Sequence, residues 1–260
     1  MVTASPDIRT DPPFGANAVD ATGVEKRFYV RGFWPGRPKG VVNALRGVDL
    51  IVARDTVHGV MGPNGSGKST FLRILATLVT ADSGSALVGG RDVEREGDAV
   101  RGLIGFSTGD ERSLYWRLTA RQNLEFAAAL HRLAAPDEII ETTLEMVNLA
   151  EHADRPVSGF SQGMGRRLGL ARALLHRPMI LLLDEPTRSL DPVSRSEFHV
   201  VIKRLRDDAG VSTLLTTHDV VEAADVCERV SVLREGEIVD DVANVNKTTL
   251  GRAMKALAAQ

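Results

Sequence analysis

Gly62-Pro63-Asn64-Gly65-Ser66-Gly67-Lys68-Ser69-Thr70 is the stretch on which the fold turns. It fits G-x-x-x-x-G-K-[ST] and lies between a strand-like run, Thr56-Val57-His58-Gly59-Val60-Met61, and a helical pattern that begins at Thr70. The glycines let the backbone fold into a loop whose amide N–H groups converge on phosphate oxygens, and the helix that follows adds its positive N-terminal end. In this pattern Lys68 reaches the β- and γ-phosphates as a point charge, and the Ser69 hydroxyl takes one position on Mg²⁺. The stretch therefore predicts a site for a nucleoside triphosphate.

Working outward, Phe71, Leu72, Leu75 and Leu78 form an apolar stripe that packs the helix on a sheet. Asp82-Ser83-Gly84 reads as a turn, Ser85 to Val88 as a strand, and Leu103-Ile104-Gly105-Phe106 as a further buried strand. On the N-terminal side, Ala21 to Val30 reads as a strand. A turn-rich basic and aromatic excursion follows, Arg31 to Gly40, before Val48-Asp49-Leu50-Ile51-Val52 resumes as a strand. The excursion reads as a surface hairpin loop, or as a region where Phe28 or Tyr29 stacks on the base of a bound nucleotide.

From about Ser107 the pattern turns helical. Thr119-Ala120-Arg121-Gln122 is a capping box, and a second helix is expected from Pro136 with Ile140, Leu144 and Val147 on one face. A polar loop at Ser161 opens a third helix carrying Leu168, Ala171 and Leu175. Met179 to Leu183 is apolar throughout and ends in Asp184-Glu185, as a central parallel strand buried on both faces should. That order puts the two carboxylates at the sheet's C-terminal edge, beside the phosphate loop. Ser212 to Thr217 is a further strand ending in His218; Val230 to Val239 reads as an edge hairpin, and Asn244 to Gln260 as a short helix.

The 260 residues are 43% hydrophobic and 25% charged, with a net charge of −2, which gives no basic field for nucleic acid. No apolar run approaches the roughly 18 residues that span a bilayer. Met1 to Asp20, with three prolines and three aspartates, reads as a disordered tail without the layout of a secretory signal. The single cysteine, Cys227, excludes an internal disulfide.

Phosphate loop, Ser161 helix start, Asp184-Glu185 strand end and His218 occur in a fixed order that resembles the ATP-binding subunit of ABC transporters, over roughly Ala21 to Val239. The resemblance implies an α/β fold: a P-loop NTPase core with a mixed, mainly parallel sheet, an antiparallel β subdomain and a helical insert over about 107–172. Residues 1–20 would be a disordered tail, 21–242 the ATPase domain and 243–260 a short C-terminal helix. It further implies ATP hydrolysis with Mg²⁺. Gly62 through Thr70 would cradle phosphate, Ser69 and Asp184 would hold the metal, Glu185 would orient or deprotonate the attacking water, and His218 would contact the γ-phosphate. Ser161 and Gly163 stand in the signature loop and Asp191 in the D-loop, which in this family close over the nucleotide of a second copy. A two-fold homodimer, or a pair with another ATPase subunit, is thus implied. So are separate membrane-spanning permease subunits, which would place the chain at the cytoplasmic face of the cell membrane.

The chain departs from the family pattern in places. Phe160-Ser161-Gln162-Gly163-Met164 stands for Leu-Ser-Gly-Gly-Gln, and Arg54-Asp55 for a Gly-Glu pair. Gly109 takes the place of the Q-loop glutamine, with Asp110 or Glu111 as substitutes. The run Asp110 to Thr119, with its exposed-looking Tyr115 and Trp116, and the short C-terminus are most similar to ATPases of ABC-2-type exporters. An importer ATPase and a soluble ATPase acting on nucleic acid or ribosomes are the alternatives. Against the latter stand the single cassette and the absence of a long coiled coil between Lys68 and Ser161.

Overall fold

A computed structural model describes residues 15–31, 38–109, 114–243 and 245–258. Its centre is a six-stranded sheet of β3 (Val57–Met61), β6 (Ile104–Thr108), β7 (Ile180–Asp184), β8 (Ser212–Thr217), β9 (Arg229–Arg234) and β10 (Glu237–Ala243). The strand order is β10-β9-β3-β8-β7-β6, with every neighbouring pair parallel except the β9–β10 edge hairpin. The run Met179–Leu183 earns its central place by feeding two cores: Leu181 and Leu183 point to one face, Ile180 and Leu182 to the other. A strand with apolar side chains on both faces is stable only when both faces are covered.

One cover is a four-stranded antiparallel sheet, order β2-β1-β4-β5, of β1 (Asn17–Arg31), β2 (Pro38–Ala53), β4 (Ser83–Val88) and β5 (Arg91–Asp92). Between it and the central sheet lies α1 (Lys68–Leu75), whose Phe71, Leu72, Ile74 and Leu75 are buried. A short helix, α2 (Gly97–Leu103), leads into β6. The other face is covered by α3 (Ala120–Leu130), α4 (Pro136–Met146), α5 (Gln162–Leu174), α6 (Pro192–Ala209) and α7 (Val220–Val226), which share one continuous core with the sheet. The Thr119 capping box that opens α3 is formed as read. The last helix, α8 (Lys247–Ala258), anchors through the buried Leu250.

Several boundaries differ from the sequence reading. β1 begins at Asn17, inside the expected tail, because Ala18 and Val19 are fully buried and Val19 pairs with both β2 and β4. The ends of the Arg31–Gly40 excursion pair as parts of one long hairpin, Arg31 with Pro38 and Val30 with Gly40; residues 32–37, Phe33 and Trp34 among them, lie outside the described residues. α1 starts at Lys68, two residues early, and stops at Leu75. Thr77 turns the chain with φ 61°, so Leu78 leaves the stripe and is 59% exposed. Ser107 and Thr108 extend β6 and pair with Leu183 and Asp184, so helix begins only with α3.

Candidate functional site

At the C-terminal edge of β3 and β7 the structure forms a cleft of about 820 Å³. Its floor is the phosphate loop, with Asn64, Gly65, Gly67, Lys68, Ser69 and Thr70 lining the space. The loop is held by its own backbone geometry: Gly67 has φ 111°, and a Cβ there would stand 2.4 Å from Ala44 O, so only glycine fits. Lys68 is 4% exposed, and its Nζ donates to Gly62 O at 2.7 Å and Pro63 O at 3.0 Å. Burial lowers its pKa, against the pull of the nearby Glu185 and Asp184 carboxylates. Pro63 is exposed and Ser66 buried, neither lining the cleft itself.

The acidic wall comes from β7. Asp184 Oδ1 accepts the Ser69 hydroxyl at 2.8 Å and the Thr216 hydroxyl at 2.7 Å. A Mg²⁺ ion takes hard oxygen ligands at about 2.0–2.1 Å, so two neighbouring octahedral ligands lie roughly 3 Å apart. The Ser69 and Asp184 oxygens have that chemistry and that spacing. Glu185 turns away from Asp184 with φ 46° and faces two cations, Lys68 Nζ at 3.8 Å and Arg188 Nη1 at 3.2 Å, and the imidazole of His218, whose Nδ1 is 3.4 Å away. Glu185, Asp184 and Arg188 all line the cleft.

At the opposite end, Phe28 of β1 lines the cleft with Val42 and Ala44 of β2 and Arg73 of α1. Neighbouring residues of a strand face opposite sides, so the structure brings Phe28 and not Tyr29 to the cleft. Tyr29 is 68% exposed. Gly109 reaches the cleft too: its N–H donates to Asp184 O at 2.9 Å, and a Cβ would meet Glu185 O at 2.6 Å. Asp110 and Glu111 lie outside the described residues.

Ser161, Gly163 and Asp191 stand elsewhere. Ser161 caps α5, its hydroxyl accepting Met164 N–H at 3.2 Å, and it is exposed outside the cleft; Gly163 is buried against Ser194. Asp191 caps α6 by accepting the N–H groups of Val193 and Ser194, each at 3.0 Å. The Ser194 hydroxyl and those N–H groups hold its carboxyl below the usual range. Sequence reasoning missed Arg188, Thr216, Val42 and Ala44. Threonine in a buried strand was the available signal for Thr216, whereas the β2 residues become visible only once the hairpin register is known.

A family model described as ABC transporter matches residues 45–188. The chain belongs to that family. It is 42% identical to the daunorubicin resistance ATP-binding protein DrrA3 of Streptomyces coeruleorubidus, over 85% of this chain and 67% of that protein. It is 37% identical to the sulfate/thiosulfate import ATP-binding protein CysA of Thermosynechococcus vestitus, over 76% of this chain and 59% of that protein. Among solved structures, the ATP-binding cassette MJ0796, a dimer in a post-hydrolysis state bound to ADP and Pi, superposes with TM-score 0.74 at 27% identity. That match covers 86% of this chain and 98% of that one. The chain is thus an ATP-binding ATPase subunit of an ABC transporter, and the α/β P-loop NTPase fold that the resemblance implied is the fold observed.

Proposed function

We propose that two copies of this chain close on ATP, each offering its Lys68 cleft to the Ser161 helix start of the other, and so drive export through separate membrane-spanning permease subunits. One observation carries the reading. The capped, exposed N-terminus of α5, a ready anion site, lies outside the cleft of its own chain. A second copy related by a two-fold axis supplies what the cleft lacks. MJ0796 was solved as a dimer, which supports the pairing.

Within the cleft the roles follow from geometry and charge. Lys68 and the loop amides bind the phosphates, and Phe28 stacks on the base. Ser69 and Asp184 would hold Mg²⁺, which would supply neutralising charge to the phosphoryl group. Glu185 orients the attacking water, its carboxylate also facing Lys68, Arg188 and His218. His218, which reaches Glu185 from the neighbouring strand end, contacts the γ-phosphate and registers its loss. Asp191 stands at the closing surface. Tyr115 and Trp116, both exposed, suit the permease contact at the cytoplasmic face of the membrane. No helix among the described residues is long and apolar enough to cross a membrane. The resistance function in the name of DrrA3 favours export, while the import function in that of CysA supports an importer as the second reading.

Glu185→Gln tests the pairing. The variant should bind ATP, lose turnover and elute as a dimer with ATP but as a monomer without it. A monomer at saturating ATP contradicts the composite site.

A further inference from the structure

Glu222 is a buried carboxylate that the phosphate chemistry does not use. It lies in α7, just past His218, and is 3% exposed. Its Oε1 accepts the Thr187 hydroxyl and its Oε2 the Thr217 hydroxyl. Thr187 stands two residues after Glu185, and Thr217 immediately precedes His218. The Thr217 oxygen also accepts Asp219 N–H at 3.0 Å, which leaves its own proton for Glu222. His199 Nε2 of α6 is 3.6 Å from Oε1, and one turn earlier Arg195 Nη1 donates to Asp219 Oδ2 at 2.6 Å. One carboxylate therefore joins the loop after β7 to the end of β8, and α6, which Asp191 caps, is tied to the same place.

The placement is costly unless it does something specific. A charge withdrawn from water needs full hydrogen bonding, and an apolar side chain would fill the space at less cost. Hydroxyl-to-carboxylate bonds are short, strong and directional, so they fix position where apolar packing would permit sliding. The β7–β8 ladder ends at Asp184 opposite Thr216. Beyond that pair, Glu185 and His218 sit on separate loops, yet their side chains stand 3.4 Å apart.

We propose that Glu222 is a positioning residue of the ATPase site, pinning the Glu185 loop and the His218 loop at one separation through Thr187 and Thr217. The inference rests on the roles given above to Glu185 and His218. A displacement of about 1 Å at such a site costs up to roughly 100-fold in rate. The phosphate loop meets Thr217 through main chain, Gly62 N–H donating to Thr217 O at 3.3 Å, and not through the Glu222 carboxylate, so ATP affinity should be spared.

The test uses the full chain, measuring kcat, ATP affinity and melting temperature. Thr187→Val, close to isosteric, and Glu222→Gln should each lower kcat by about 10- to 100-fold, with ATP affinity within about twofold of the parent. Thr187→Ser, which keeps the hydroxyl, should restore kcat. In a His218→Ala background, Glu222→Gln should add little further loss, because it acts through the geometry His218 shares with Glu185. Unchanged kcat in Thr187→Val and Glu222→Gln overturns the proposal. So does a parallel fall of kcat, affinity and melting temperature, or a full additional loss in the His218→Ala background. Glu185→Gln and His218→Ala run alone separate the two readings. If both keep full turnover, the site assignment falls and this inference with it. If both lose turnover while Thr187→Val does not, only the role of Glu222 is refuted.

Discussion

His58 links the stability of this fold to pH, with a size that can be worked out from its surroundings. It sits in β3, the strand that delivers the phosphate loop, and is buried. Its Nε2 is 2.9 Å from Ser231 Oγ, which donates at 3.4 Å to Asp241 Oδ1, and Asp241 is held in turn by Arg229. Burial pushes the imidazole down from 6.5 to about 4; Asp241 opposes the shift and Arg229 adds to it. Because the folded value lies below the unfolded one, the unfolded chain takes up the proton first as pH falls. The native state holds its full advantage above pH 6.5 and loses it progressively between 6.5 and about 4. At about 1.36 kcal/mol per unit, the whole loss is roughly 3 kcal/mol, of which about 2 kcal/mol is gone by about pH 5. Other groups titrate in the same range, so the measurement is a double difference. Wild type and His58→Gln are unfolded in urea at about pH 7.5 and about pH 5, and the change in stability is compared. Wild type should lose about 2 kcal/mol more than the variant. Parallel losses in the two proteins refute the reasoning, because they place the imidazole in an environment no less favourable to its charge than water.

Two further outcomes follow from the cleft. Lys68→Ala should abolish ATP binding, measured by calorimetry, while leaving the melting temperature within a few degrees, since the removed charge is the phosphate contact; retained affinity contradicts its role. Gly109→Gln, which returns the residue the family pattern expects, should lower kcat rather than raise it. Its Cβ would stand 2.6 Å from Glu185 O and force the loop that carries Glu185 to move. Steady-state ATPase rates at or above the parent would show that the site accommodates the side chain.

The parts legible in the sequence are those whose chemistry is local. The phosphate loop needs glycines at set positions, the capping box is four residues long, and a strand buried on both faces has to be apolar throughout, as Ile180–Leu183 is. What escaped depends on partners far along the chain. β1 carries register shifts between Ala21 and Val24 and again between Lys26 and Arg27, which break the period-two alternation a reader relies on, so its start at Asn17 looked like tail. Leu78 looked like core because the helical period continues on paper through Thr77, where the backbone turns. Glu222, in the short and mainly apolar α7, has no sequence neighbour that marks it as a junction; only the meeting of Thr187 and Thr217 over it, 35 and 5 positions away, reveals one. Arg188 and Phe28 were within reach of sequence alone, the first by its spacing from Glu185 and the second as one of two adjacent rings. The choice between Phe28 and Tyr29 needed the face of the strand.

Cross-linking reads the central claim most directly. The native chain contributes one thiol, Cys227, which is buried and whose pKa burial pushes far up, so it is a quiet background. Asn64 and Ser161 are both exposed, one on the phosphate loop and the other at the start of α5. In a Glu185→Gln chain carrying Asn64→Cys and Ser161→Cys, mild oxidation with ATP and Mg²⁺ should give a disulfide-linked dimer, and oxidation without nucleotide should give monomer. A chain that still binds ATP yet yields no cross-linked dimer contradicts the composite site.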